Sequence, residues 1–116
     1  MANLKLIKAT GENELPIKIE IYNTFLRRLR GLMFRLKPIV NEGILIDPCN
    51  SIHMFFMFFS IDVVFVNESG EIVHLKENVK PWSLIFPIKN AKAALELPVG
   101  TVERYGVGIG DRAVVE

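Results

Sequence analysis

Cys49-Asn50-Ser51-Ile52-His53-Met54-Phe55-Phe56-Met57-Phe58-Phe59-Ser60-Ile61-Asp62-Val63-Val64-Phe65-Val66 holds the only cysteine, one of two histidines and the longest apolar run of the chain, with Asp62 set inside it. A stretch this apolar is expected to be buried, and the polar residues trapped in it must then find partners or meet a ligand. From Ile52 to Phe59 both faces of an extended chain are apolar, which predicts a strand covered on both sides. A helix is the rival reading there, because Met and Phe favour neither form. The β-branched Ile61, Val63, Val64 and Val66 favour strand for the second half, with Ser60 marking a bend between the halves.

Working outward, Asn67-Glu68-Ser69-Gly70 reads as a hairpin loop and Glu71 to Lys76 as the returning strand. Upstream, Gly43 to Ile46 is a short buried strand ended by Asp47-Pro48. Leu4 to Lys8 is a strand candidate, and Ile17, Ile19 and Ile21 alternate with Lys18 and Glu20, the period of a half-buried strand. Together these predict an antiparallel pair with one wet face. Asn23 or Thr24 can cap a helix to about Arg30, with Gly31 as its stop. Phe25, Leu29 and Leu32 follow helical spacing, and Arg27, Arg28 and Arg30 fill the other face. Downstream, Asn78 to Pro87 reads as irregular, Ala91 to Leu97 as a strand, Gly100 to Arg104 as a short helical turn near residue 102, and Arg112 to Val115 as a last strand. The expected fold is mainly β (α+β at most): one domain over residues 1–116, an antiparallel β-sandwich or barrel-like sheet with one helix. Phe56, Val64, Phe65, Leu95 and Leu29 are expected to share one core.

Composition bounds function loosely. The chain has 116 residues, half of them apolar, and a net charge of +1. It is long enough for a core without staples, and its charge balance does not favour nucleic acid as a partner. One cysteine precludes an internal disulfide. No charged leader with an apolar core opens the chain, and no run approaches the roughly 20 apolar residues of a spanning helix; a cytoplasmic protein is expected.

The candidate chemistry is sparse. Cys49 and His53 suggest a nucleophile and a base, yet in an extended strand they stand roughly 13 Å apart, at about 3.3 Å per residue. Cys49, His53, Asp62 and His74 are the types a metal would use, but no close ligand pair occurs, so neither metal nor cofactor is expected. Asp62 has a structural reading, accepting backbone N–H groups near Ser60, and a functional one, in a pocket with His53. Trp82 after Pro81 is a core lid or a stacking surface. Arg27, Arg28, Arg30, Arg35 and Lys37 form a basic cluster, usually a solvated face and otherwise a contact for an anionic polymer.

Four ordered stretches resemble the domain of unknown function 192 family of small prokaryotic domains. They are Gly31-Leu32-Met33-Phe34-Arg35, Ile52 to Met57 with Ile61-Asp62-Val63-Val64-Phe65, Leu95-Glu96-Leu97-Pro98-Val99-Gly100, and Gly106 with Gly110-Asp111. The resemblance implies a compact, mainly β domain and no particular reaction. Members similar to this chain tend to carry a basic or polar residue in place of Phe58 and proline in place of Ser60. The reading is a non-catalytic binding or interaction module for a small ligand or protein partner, its pocket around Asn50, His53 and Asp62 and rimmed by Phe55 and Trp82. The alternative is a small hydrolase or transferase using Cys49 and His53, with Asp62 as a further candidate.

Overall fold

The computed structural model describes all 116 residues, Met1–Glu116. Nine strands and two short helices follow one another: β1 (Ala2–Lys8), β2 (Gly11–Tyr22), α1 (Phe25–Arg30), β3 (Glu42–Ile46), β4 (Ile52–His53), β5 (Ile61–Val66), β6 (Ile72–Val79), β7 (Leu84–Ile85), β8 (Ala93–Pro98), α2 (Thr101–Tyr105) and β9 (Arg112–Val115). Seven strands make one sheet in the order β6-β5-β8-β3-β2-β1-β9, and β4 pairs with β7 in a separate ribbon. The fold is mainly β, as the turn spacing implies. The sheet is mixed, because β2 and β3 run parallel, joined by the crossover that carries α1.

The sheet curls without closing into a barrel. At one corner its outermost strands meet: Ile72 N–H donates to Asp111 O and Ala113 N–H to Gly70 O, around a Glu71–Arg112 bridge. The curl gives the sheet two apolar faces. Leu4, Leu6, Ile19, Val64 and Leu95 fill the concave side. Ile46, Ile61, Val63 and Phe65 lie on the convex side, covered by Leu32, Met54, Met57, Phe59 and Ile85 from the crossover, the β4–β7 ribbon and the segment after β4. Every residue of β5 is buried, as expected of a strand covered on both faces. Gly43 permits the tight packing of β3 on β8: a Cβ there would stand 2.6 Å from Glu96 O.

Three expectations need correction. The strand expected over Ile52 to Phe59 ends at His53. The segment beyond is irregular, with Met54, Met57 and Phe59 buried and Phe55, Phe56 and Phe58 exposed. The single shared core is two: Phe65 belongs to the convex cluster, Val64 and Leu95 to the concave one. Phe56 and Leu29 belong to neither, being 44% and 55% exposed. Alternation along β5 and β8 separates the first three, since neighbouring strand residues face opposite ways. Helix α1 has the expected bounds: Thr24 accepts from Arg27 N–H, and Gly31 N–H donates to Arg27 O. However, none of its residues is buried, and of the helical-spaced set only Leu32, beyond Gly31, enters the core.

Phe65 is fully buried, so Phe65→Ala should cost about 3–5 kcal/mol and lower the urea midpoint, whereas Phe86→Ala, at a ring that is 75% exposed, should leave it nearly unchanged. A loss below about 1 kcal/mol for Phe65→Ala would refute this assignment of faces.

Candidate functional site

Asp62 is fully buried and fully satisfied. Its Oδ1 accepts from Asn78 N–H and its Oδ2 from Val102 N–H, both at 2.9 Å. Both donors are backbone amides, as the structural reading requires, although they come from β6 and α2 rather than from Ser60. Opposite Asp62 the β5–β6 register slips, Ile61 facing Val79 and Val63 facing Lys76. This bulge leaves the Asn78 N–H free of the ladder. Val102 lies in the first turn of α2, where N–H groups have no intrahelical partner; the preceding cap residue is Gly100, with no side chain to serve it.

A different set of side chains converges under α1. Arg28, Cys49, His53 and Glu96 line a cavity of about 40 Å³, with Leu32, Ile46 and Met57 as apolar walls and Gly31 beside the carboxyl. That is room for a water or two, or for the terminal polar group of a larger molecule. Three buried polar atoms here have no protein partner: Arg28 Nε, His53 Nδ1 and Glu96 Oε1. Glu96 faces the convex side from β8, 4% exposed, and burial pushes its carboxyl up to about 8, so it is mostly a neutral acid at pH 7. Gly31 has φ of 50°, a left-handed conformation that favours glycine. A Cβ there would stand 3.7 Å from Glu96 Oε1, in ordinary van der Waals contact with the carboxyl.

The polarity of the cavity can be worked out group by group. His53 Nε2 lies 3.3 Å from Leu29 O. A carbonyl only accepts, so Nε2 carries the proton and a neutral ring presents Nδ1 as a lone pair. Arg28 anchors one terminal nitrogen on Pro48 O at 3.4 Å and presents Nε–H. The cavity thus offers donors from Arg28 and protonated Glu96, and an acceptor from His53. Cys49 donates its thiol to Ser51 O at 3.0 Å. Burial pushes its pKa up, which is the wrong direction for a nucleophilic thiolate.

Beside His53 the surface is aromatic. Phe34 stacks on Phe56 at 5.0 Å between centroids, Phe56 meets Trp82 edge-on at 5.0 Å, and Phe55 lies between Trp82 and His53. Phe34, Phe56 and Trp82 all have positive φ, from 59° to 67°. Bulky residues rarely adopt that region, and each costs on the order of 1–3 kcal/mol that the surrounding structure must offset.

Of the residues singled out in the sequence, the structure therefore brings Cys49 and His53 to one cavity and sets Trp82 in the aromatic cluster that reaches His53 through Phe55. It does not bring Asp62 there, since both its oxygens are committed elsewhere. Asn50 borders an open recess of about 780 Å³ with Asn67, Glu68, Asn90 and Lys92, on the other side of Cys49, which lines both. His74 lies on β6 beside Phe65. Although Cys49, His53 and Glu96 share that cavity, no three His, Cys, Asp or Glu side chains are placed so that they could hold a metal ion. Sequence reasoning missed Glu96 and Arg28 as site residues. The signal for Glu96 was available: a glutamate between Leu95 and Leu97 in a strand whose neighbours are all apolar. Arg28 carried none, being one arginine of a basic run.

Fold and site define a small, strongly curled, mainly β domain with a buried, incompletely satisfied polar cavity under its crossover helix. The chain belongs to the DUF192 family, described as "Uncharacterized ACR", whose model matches residues 6–115. It is 43% identical over 112 residues to a UPF0127 protein of Thermococcus sibiricus, covering 91% of this chain and 71% of that one. It is 35% identical over 110 residues to a UPF0127 protein of Pyrococcus furiosus, covering 92% and 94%. A crystal structure of a Sinorhizobium meliloti protein named as a candidate transcription regulator is similar, with a TM-score of 0.85, 29% identity and coverage of 98% and 92%. So is that of a Novosphingobium aromaticivorans protein of unknown function, with a TM-score of 0.82, 22% identity and coverage of 97% and 83%. No helix of the structure is long and apolar enough to cross a membrane.

Two stability measurements distinguish the buried carboxyls. Asp62→Asn offers an amide where two N–H groups donate to a carboxylate, and should cost roughly 1.5–3 kcal/mol in urea melts at pH 7; an unchanged midpoint would contradict the structural role. For Glu96 the folded-state pKa is raised from 4.5 to about 8. The native state then holds a proton that the unfolded chain releases, so stability falls as pH rises through that window and levels off above it. Wild type should lose on the order of a few kcal/mol relative to Glu96→Gln between about pH 5 and pH 8. Parallel curves for the two proteins would show that Glu96 ionises without penalty.

Proposed function

We propose that the protein is a non-catalytic binding module whose pocket is the cavity of Arg28, His53 and Glu96. The observation that carries this reading is the presence of three buried polar atoms without protein partners in one cavity. Unmet buried hydrogen-bonding groups are costly, and a ligand that meets them recovers that cost. Two donors and one acceptor suit a group that both accepts and donates. A primary carboxamide does so: its oxygen takes Arg28 Nε–H and the Glu96 O–H, and its nitrogen donates to His53 Nδ1. A carboxylate lacks the donor that His53 Nδ1 needs. The protonated, hydrogen-bonded state of the Cys49 thiol supports a binding role over the Cys49/His53 hydrolase or transferase reading.

Acetamide serves as the probe. Titrated into ¹⁵N-labelled protein, it should shift the amide resonances of Gly31, His53 and Glu96 saturably. Acetate should bind about tenfold more weakly, and Arg28→Met should weaken acetamide by a similar factor. Equal or tighter binding of acetate, or no shifts with either probe, would overturn the assignment. Iodoacetamide at neutral pH should leave native Cys49 largely unmodified; alkylation as fast as in the unfolded chain would favour the nucleophile reading.

A further inference from the structure

Three segments, residues 24–41, 49–60 and 80–92, form one side of the molecule. Phe34 N–H donates to Phe56 O, Trp82 N–H donates to Met54 O, and His53 of β4 pairs with Leu84 of β7. The charge of these segments is one-sided. They contain Arg27, Arg28, Arg30, Arg35, Lys37, Lys80, Lys89 and Lys92, eight of the 14 Lys and Arg residues, and none of the 13 Asp and Glu residues. Among these cations, salt bridges to acids outside the segments involve only Arg35, to Glu42, and Lys92, to Asp47. Between the cations, Phe25, Leu26, Leu36, Phe58, Trp82 and Phe86 stand more than half exposed, up to 75% for Leu36 and Phe86. Isolated exposed apolar residues need no explanation, but a collection this large on one side marks an interaction surface.

We infer that this side docks on an anionic lipid bilayer. Leucine and phenylalanine side chains standing clear of the fold suit the acyl boundary, tryptophan suits the headgroup level, and arginine and lysine suit anionic headgroups. The other occupants fit less well. A second copy packed face to face by a two-fold axis would set cations against cations with no acid between them. Single-stranded nucleic acid needs ring faces free for bases. Here Phe34 and Phe56 stack on each other, Trp82 meets the edge of that pair, and Leu26 and Leu36 have no stacking role. A protein partner would have to be acidic and apolar at once.

Trp82 is the only tryptophan, so the full chain carries its own probe. Vesicles of equal parts phosphatidylcholine and phosphatidylglycerol should shift Trp82 emission to the blue and sediment the protein. Phosphatidylcholine vesicles should bind at least about tenfold more weakly, and added salt should release the protein. The double variant Leu26→Ser/Phe86→Ser changes only exposed side chains, so it should keep the wild-type urea midpoint and lose about tenfold in vesicle affinity. Lys37→Glu/Lys80→Glu should lose binding to the anionic vesicles selectively. Absence of binding to the anionic vesicles, equal binding to both kinds, or full binding by the Leu26/Phe86 variant overturns the inference. So does an emission shift produced without lipid, either by oligothymidylate or by raising the protein concentration; these would assign the surface to nucleic acid or to a second copy.

Discussion

Two hydrogen bonds to one buried carboxylate connect three separate parts of this fold. Asp62 sits in the middle of β5, receives the Asn78 N–H freed by the β6 bulge, and receives the Val102 N–H of the first turn of α2. Each donor would otherwise lie at a break in regular pairing, one at a bulge and one at a helix start. A side chain from a fixed central strand therefore closes both defects. The negative charge also suits the positive end of a helix, even one as short as α2. The position of α2 over the concave core, where Val102 packs, follows from this link.

Asp62 and Glu96 are near neighbours with opposite fates. Asp62 pairs across the ladder with Leu97, and Glu96 pairs with Val63. The one-residue offset turns the two carboxyls to opposite faces of the sheet. On the concave side Asp62 finds two unused amides. On the convex side Glu96 finds none, and its Oε1 is left without a partner. A carboxylate without partners in an apolar setting is expensive, so the proton stays on. A leucine at this position would pack against Ile46 and Met57 without that difficulty. A buried, neutral, unpartnered acid beside an unpartnered arginine nitrogen is thus a local departure from the economy of the rest of the core. That contrast, more than the size of the cavity, distinguishes it from an ordinary packing gap.

The parts of the fold that could be read in the sequence are those governed by local rules. Alternation of Ile17 and Ile19 with charged residues placed β2, Thr24 and Gly31 bounded α1, and the turn around Asn67 was recognisable from its residues; its Oδ1 indeed accepts from Ser69 and Glu71 N–H. The parallel β2–β3 pair was not legible, because strand direction depends on where the crossover returns. The candidate site was half legible. Histidine and cysteine announce themselves by type. Glu96 and Arg28 become distinctive only through what fails to pair with them, which depends on groups about 25 to 70 residues away in the chain. Asp62 was read correctly as buried, but its donors lie 16 and 40 residues onward.

The segment from Met54 to Phe59 explains both the largest misreading and the aromatic surface. Its burial runs in for Met54, out for Phe55 and Phe56, in for Met57, out for Phe58 and in for Phe59, which is neither the period of a strand nor that of a helix. Two buried methionines, flexible enough to fill irregular space, anchor it to the convex core. Between them the chain turns through Phe56 at positive φ, held where Phe56 O accepts from Phe34 N–H and Met54 O accepts from Trp82 N–H. A continuous strand would satisfy the backbone without that strain but would need a second covering layer to bury all four phenylalanines, and this chain has no element left to provide one. The apolar side chains that cannot be covered are gathered instead on one side, where they pack partly on each other. The strained turns at Phe34, Phe56 and Trp82 follow from fitting more apolar residues into one segment than a single sheet and a two-stranded ribbon can enclose.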